Sequence, residues 1–64
     1  MLTNSRDIKR RLEREEWVLD RVTGSHYVFK HPRRPATIVL PHPKKDLGRG
    51  LVRHIYQQAG WEPD

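Results

Sequence analysis

The fold is decided by residues Trp17–Lys30, which read WVLDRVTGSHYVFK. Both halves of this stretch have the β-branched and aromatic composition that is typical of strands. Between them, Gly24 can take a positive φ at no steric cost, so we predict a hairpin with Thr23-Gly24 as its two-residue loop. In that register Arg21 lies opposite His26.

The predicted register sorts the hairpin side chains onto two faces, because side chains alternate along a strand and opposed residues share a face. One face is apolar and suits packing against helices; it holds Val18, Val22, Tyr27 and Phe29. The other face mixes cations with apolar groups; it holds Trp17, Leu19, Arg21, His26, Val28 and Lys30. We interpret the second face as a surface for a phosphate and for a stacked base or a partner protein.

The hairpin is preceded by a predicted helix from about Ser5 to Glu16. Asn4 is its predicted N-cap, and Ile8 and Leu12 lie one turn apart on one face. The basic residues of this helix alternate with glutamates, so we expect a solvated surface of paired charges there.

The hairpin is followed by a third strand and a second helix. The strand, Ala36–Leu40, lies between two basic, proline-bounded loops, His31–Pro35 and Pro41–Lys45. Asp46 is the predicted cap of the last helix and Gly60 its stop signal. The order α-β-β-β-α predicts an α+β fold, in which two helices cover one face of a three-stranded antiparallel sheet. The apolar stripe of the last helix is predicted to consist of Leu51, Ile55 and Ala59.

Length and composition limit the classes of function. A chain of 64 residues forms a single domain, 1–64, with no room for a deep pocket around a large cofactor. Its 13 Lys+Arg against 8 Asp+Glu give a net charge of +5, which favours nucleic acid as a partner. The absence of cysteine excludes thiolate zinc sites and cysteine nucleophiles, and no apolar run approaches the length of a membrane span. Without disulfides or a signal peptide, the expected location is the cytoplasm.

His26 is the leading candidate for chemistry. It follows Gly24-Ser25 directly, with Arg21 predicted opposite. Imidazole gains and loses a proton near neutral pH, so it can deprotonate a ribose 2′-OH or protonate a leaving 5′-oxygen. The alternative interpretation is a polar residue on a solvated strand end.

The remaining polar candidates carry weaker signals. Three other histidines show no pairing with metal-ligand spacing, so we predict no metal site. They are interpreted as exposed side chains or phosphate contacts: His31, His42 and His54. Two basic clusters lie in the loops at the ends of the third strand: Arg33-Arg34 and Lys44-Lys45-Arg49. Of the two tryptophans, Trp17 is predicted to pack in the core and Trp61 to cover a helix end, and stacking on bases is the alternative for both.

Several motifs stand in a defined order and spacing between about Ser5 and Gly60: Ser5-Arg6-Asp7-Ile8, Leu12, Trp17, Arg21, Gly24-Ser25-His26, Phe29-Lys30-His31-Pro32, Pro41-His42-Pro43-Lys44-Lys45-Asp46, Gly50-Leu51, Ile55 and Gln58-Ala59-Gly60. Together, over nearly the whole chain, they resemble the HicA toxins of HicA–HicB toxin–antitoxin modules. Two positions depart from the usual family pattern. Glu16 stands where glycine is usual, and Leu51 stands where threonine or serine is usual.

The resemblance implies both a fold and an activity. The fold is one similar to a double-stranded-RNA-binding domain. The activity is a ribonuclease that cleaves mRNA and arrests translation until the antitoxin HicB binds. The family's catalytic histidine, in its glycine-serine-histidine triplet, corresponds to His26.

Together these observations predict an endoribonuclease that needs no metal and no cofactor. His26 is the expected general acid/base, Arg21 and Lys30 the expected phosphate ligands, and Ser25 an orienting hydroxyl. Lys44 and Lys45 are expected to hold RNA electrostatically, and an acidic HicB-type antitoxin is expected to cover the half-apolar second face and mask His26. The alternative is a small basic RNA-binding module without catalysis.

Overall fold

The computed structural model describes residues 1–64. Two helices flank three strands: α1 Ser5–Arg14, β1 Val18–Thr23, β2 His26–His31, β3 Arg34–Pro41 and α2 Arg49–Ala59. The strands form one antiparallel sheet in the order β1-β2-β3. The predicted α+β class and the order α-β-β-β-α are therefore confirmed. Neither helix has the length and apolar character needed to cross a lipid bilayer.

One hydrophobic cluster joins both helices to the same face of the sheet. It includes Ile8 and Leu12 from α1, Phe29, Ile38 and Leu40 from the sheet, and Val52, Ile55, Tyr56 and Ala59 from α2. Both helices make their main sheet contacts with β3. β1 is the edge strand on the opposite side of the sheet from these contacts, and all six of its residues are exposed.

Helix α1 begins as predicted and ends earlier than predicted. Asn4 Oδ1 accepts the N–H of Arg6 at 2.9 Å, which confirms the N-cap. The helix ends at Arg14 rather than Glu16, because Glu16 has a φ of 73°, in the left-handed region where an α-helix cannot continue. Glycine adopts such a φ without steric cost, so Glu16 occupies a strained backbone position.

The hairpin loop is Gly24-Ser25, so the predicted loop Thr23-Gly24 is wrong by one residue. Thr23 pairs with His26, and Arg21 pairs with Val28. Gly24 has the expected positive φ, 59°, at the first loop position, where a type II′ turn requires glycine. The prediction that Arg21 lies opposite His26 is therefore also wrong.

A β-bulge at Asp20 shifts the register a second time. Beyond it, Leu19 lies opposite Phe29 and Val18 opposite Lys30. Such a bulge bends and twists an edge strand, which hinders pairing with another chain.

Two residues predicted for the second face of the hairpin, the one that mixes cations with apolar groups, are buried. Trp17 is 2% exposed and belongs to the core cluster, which confirms its predicted packing role but not its predicted place beside His26. Val28 is 5% exposed, because it lies at the centre of the sheet between Arg21 on β1 and Val39 on β3.

The third strand is longer than the sequence indicates. It begins at Arg34, which pairs with His31, so the predicted loop His31–Pro35 shrinks to a turn at Pro32-Arg33. Pro35 is compatible with β3 because β3 is an edge strand, where a residue without an N–H is tolerated.

The ends of α2 are set by glycines. Its N-cap is Gly48, with no side-chain hydrogen bond, so the prediction that Asp46 caps the helix is wrong. Gly60 ends the helix with a φ of 75°, as predicted from its stop signal. The N–H of Trp61 then bonds to the main-chain oxygen of Tyr56 at 2.8 Å, which closes the helix end.

Candidate active site

His26 begins β2 directly after the exposed loop. Its neighbours across the sheet are Thr23 on β1 and Pro41 on β3. The main-chain oxygen of Ser25 accepts the N–H of His42 at 2.8 Å, so β2–β3 pairing continues one step beyond His26. The backbone at His26 is therefore held on both sides, while its side chain is exposed.

The two cations predicted near His26 share one carboxylate. Arg21 Nη1 donates to Asp20 Oδ2 at 2.8 Å, and Lys30 Nζ lies 3.8 Å from Asp20 Oδ1. Arg21 is the diagonal neighbour of His26, about 7–8 Å away and within reach of a long side chain. Lys30 lies four residues along the strand from His26, which corresponds to about 13 Å. The fold thus places Arg21 diagonally across from His26, with its guanidinium on Asp20, and Lys30 further along the same face.

A cavity of about 280 Å³ opens beside His26, between β3 and α2. Besides His26, it is lined by Thr37, Val39, Pro41, Leu51, His54 and Gln58. Gln58 Nε2 donates to the main-chain oxygen of Thr37 at 3.0 Å, which fixes α2 against the outer edge of β3. The imidazoles of His31 and His42 form hydrogen bonds within the protein, whereas those of His26 and His54 form none. The ring nitrogens of His26 and His54 are therefore available to a ligand.

The other two histidines support the fold. His31 Nδ1 accepts the N–H of Arg33 at 3.1 Å, which leaves the proton on Nε2 for the main-chain oxygen of Glu15 at 3.0 Å. His42 Nδ1 lies 2.7 Å from Ser5 Oγ. His31 therefore joins the end of β2 to the residues that follow α1, and His42 joins the loop after β3 to the first residue of α1.

Lys44 and Lys45 lie on a second cavity, of about 430 Å³, at the start of α1. It is lined by Asn4, Ser5, Arg6, His42, Pro43, Lys44 and Lys45. The first amides of the helix already have partners, since the N–H of Ser5 donates to Lys44 O and that of Arg6 to Asn4 Oδ1. Any anion held here would therefore contact the cationic side chains rather than the helix terminus.

The end of β3 separates the two cavities. Pro41 lines the cavity that contains His26, and the next residue, His42, lines the basic cavity. A flexible polyanion that crosses this strand end would contact cations on one side and imidazoles on the other. No group of three or more His, Asp or Glu side chains is placed to hold a metal ion.

Sequence reasoning missed the polar part of α2. Leu51, His54 and Gln58 are spaced i, i+3 and i+7 and so share one helical face, a signal that was available. The predicted stripe included Leu51, but the buried stripe consists of Val52, Ile55, Tyr56 and Ala59. Half-buried Leu51 instead lies at the edge of the His26 cavity.

Comparison with known protein families identifies the family of this chain. Residues 5–61 match the family model described as "HicA toxin of bacterial toxin-antitoxin". The match includes all five helices and strands, together with His26 and His54. A search of curated proteins finds no match.

Proposed function

Because the chain belongs to the HicA toxin family, which makes it the toxin of a toxin–antitoxin module, we propose that it is a metal-independent endoribonuclease. In this proposal the single domain 1–64 cleaves mRNA in the cytoplasm and arrests translation. The observation that carries the proposal is the exposed imidazole of His26 beside a cavity of nucleotide-sized dimensions in a protein of net charge +5.

His26 is the general acid/base of the proposed reaction. It removes the proton from a ribose 2′-OH, whose oxygen then attacks the adjacent phosphorus, or it gives a proton to the 5′-oxygen that leaves. Arg21, diagonal to His26 on β1 and outside its cavity, binds a neighbouring phosphate of the RNA, and Lys30 binds another phosphate further along the face. Ser25 orients the substrate from the loop. The reaction uses no cofactor.

Lys44 and Lys45 hold the RNA at a distance from the reacting phosphate. Their cavity adjoins the His26 cavity across Pro41 and His42, so one strand of RNA can occupy both. Attraction between lysines and phosphates supplies affinity without base selectivity.

The test of the nuclease proposal is cleavage of an mRNA fragment in the presence of a chelator. We expect His26→Gln to lower the cleavage rate by about 10²–10⁴-fold, the usual contribution of general acid–base catalysis. Gln57→Ala is the matched control, because Gln57 is exposed on α2 and lies outside both cavities. Wild-type cleavage by a folded His26→Gln variant would remove this imidazole from the mechanism.

A non-catalytic RNA-binding module is the second candidate. It is favoured by one observation: the basic cavity and the His26 cavity share no lining residue, so RNA can be held without the imidazole. Tight binding of RNA that remains intact, with and without added metal, would establish this alternative.

The proposed partner is an acidic, HicB-type antitoxin. Strand β1 exposes three large apolar side chains to solvent: Val18, Leu19 and Val22. Val18 is the most exposed of them, at 62%. Val18 pairs with Lys30 and so lies on the same face as His26, whereas Leu19 and Val22 pair with Phe29 and Tyr27 on the other face. An antitoxin that packs along β1 and over the face of Val18 would bury these groups and mask His26.

The antitoxin proposal is tested by inhibition of cleavage. We expect excess antitoxin to abolish the cleavage of RNA by the wild-type protein. Val18→Ser removes the apolar contact without placing a carboxylate opposite Lys30, so this variant should cleave RNA normally and escape inhibition, whereas Gln57→Ser should remain inhibited. Cleavage that persists in excess antitoxin would contradict the masking of His26.

A further inference from the structure

We infer that His54 is the second proton-transfer residue of this ribonuclease and acts with His26 on one phosphodiester bound between β3 and α2. The inference rests on the proposed nuclease function and deepens it. Cleavage by a 2′-oxygen removes one proton from that oxygen and adds one proton to the departing 5′-oxygen. A single imidazole in a fixed position cannot serve both oxygens at once, because they lie on opposite sides of the phosphorus.

The fold places two imidazoles on one small cavity. His26 lies at the start of β2 and His54 in the middle of α2, and both line the cavity of about 280 Å³. This volume is just below the range of about 300–1,000 Å³ that is usual for small-molecule pockets, so it suits one phosphodiester with its ribose. Both side chains are exposed and have no hydrogen bond within the protein that would hold their nitrogens.

The rest of the lining leaves no other group for proton transfer. Its five remaining members are neutral: Thr37, Val39, Pro41, Leu51 and Gln58. Neither a carboxylate nor a lysine or arginine lines the cavity. Of all the residues that β2, β3 and α2 contribute to this cavity, His26 and His54 are therefore the titratable ones.

The position of His54 is set by rigid packing. Ile55, the next residue, is fully buried, and Ala59 is 3% exposed, so the opposite face of α2 is held in the core. One turn after His54, the Gln58–Thr37 hydrogen bond fixes the helix to β3. A group presented by a packed helix keeps the orientation that proton transfer requires.

The protons and bonds balance with two imidazoles. One neutral imidazole takes the proton of the 2′-OH as the bond between the 2′-oxygen and phosphorus forms. The bond from phosphorus to the 5′-oxygen breaks, and the other ring, protonated at the start, gives its proton to that oxygen. The products are a 2′,3′-cyclic phosphate and a 5′-hydroxyl, and exchange with water restores both rings.

The experiment compares His54→Gln, His26→Gln and Gln57→Ala on two substrates over a range of pH. On an oligoribonucleotide we expect a bell-shaped rate profile for the wild type and for Gln57→Ala. His54→Gln should lower the rate by about 10²-fold or more and lose one limb of the bell. If His54 had only a structural role, His54→Gln would lower the rate but keep both limbs of the pH–rate profile, and that result would contradict the inference.

The second substrate carries a nitrophenolate leaving group, which departs without a proton. The histidine that acts as the general acid should not be needed to cleave this substrate. We therefore expect one of the variants His26→Gln and His54→Gln to cleave it at close to the wild-type rate and the other to remain slow. His54→Gln with the wild-type rate and a two-limbed profile overturns the inference while the nuclease function stands. Failure of the wild type to cleave either substrate overturns both.

Discussion

The hydroxyl oxygen of Ser5 lies 2.7 Å from Nδ1 of His42. The same oxygen accepts the main-chain N–H of Lys44 at 2.8 Å, so its own proton is available for the imidazole. Ser5 is 1% exposed and is the one buried polar residue of the fold. The basic loop that carries the two lysines is therefore held to α1 by this buried hydroxyl group, together with the hydrogen bond from the N–H of Ser5 to the main-chain oxygen of Lys44 at 2.9 Å.

Removing this hydroxyl should destabilise the protein. Ser5→Ala leaves the N–H of Lys44 without its acceptor, and a buried polar group without a partner costs about 1–3 kcal/mol. Urea unfolding followed by circular dichroism measures the loss. Ser25→Ala is the matched control, because Ser25 is exposed in the hairpin loop, and we expect a change within about 0.5 kcal/mol. Equal stability of the two variants would contradict the role of Ser5.

Lys44 and Lys45 should determine how RNA binding depends on salt. A Lys44→Ala/Lys45→Ala double variant should bind single-stranded RNA more weakly and lower the slope of log Kd against log salt by about 1.4, since each phosphate contact contributes about 0.7. Lys9→Ala/Arg10→Ala removes the same charge from α1 and should keep the wild-type slope. Equal slopes for the two double variants would remove the loop lysines from the RNA interface.

Asp20 should weaken the binding of RNA, because its carboxylate contacts both Arg21 and Lys30. Asp20→Asn releases two cations for phosphate, so we expect tighter RNA binding and a steeper salt dependence. Glu62→Gln changes the net charge by the same amount at the exposed end of the chain. If Asp20→Asn and Glu62→Gln bind RNA equally tightly, the change in net charge alone explains the tighter binding, and the contacts of Asp20 with Arg21 and Lys30 do not affect it.

Glu16→Gly should raise the thermal unfolding midpoint by a few degrees. Glycine accepts the observed φ of 73° without steric cost, and that gain should outweigh the loss of the exposed ion pair with Arg33, at 2.8 Å. Glu13→Gly, inside α1, should lower the midpoint, since glycine disfavours a helix by about 1 kcal/mol. A lower midpoint for Glu16→Gly would show that the ion pair between Glu16 and Arg33 stabilises the fold by more than the positive φ of Glu16 destabilises it.

Glu15 should contribute stability that disappears in acid. Partial burial raises the pKa of Glu15, but hydrogen bonds from Trp61 and Arg11 outweigh it, and the pKa lies below its ordinary value of 4.5. A lowered pKa stabilises the fold above about pH 4.5, and this contribution is lost as the pH falls through the folded-state pKa. The stability difference between wild type and Glu15→Gln should be largest at neutral pH and shrink below pH 4.5. Thermal unfolding between pH 3 and 7 measures it, and a difference independent of pH would contradict this role.

Local sequence patterns were enough to predict the order of helices and strands and the leading candidate residue. Asn4 and Gly60 mark helix ends by local backbone chemistry, and the positive φ of Gly24 follows from its missing side chain. These features depend on residues close together in the chain, so a pattern of spacing is enough to predict them. The candidacy of His26 likewise came from the triplet that contains it.

The tertiary structure alone decided what surrounds His26. A loop displaced by one residue and a bulge at Asp20 moved Arg21 from opposite the imidazole to a diagonal position, because strand register depends on packing across the sheet. The meeting of His26 with His54 depends on how α2 lies against β3, which no local spacing specifies. Contacts between distant segments arise from burial of a shared core, so they become visible only when the whole chain is folded.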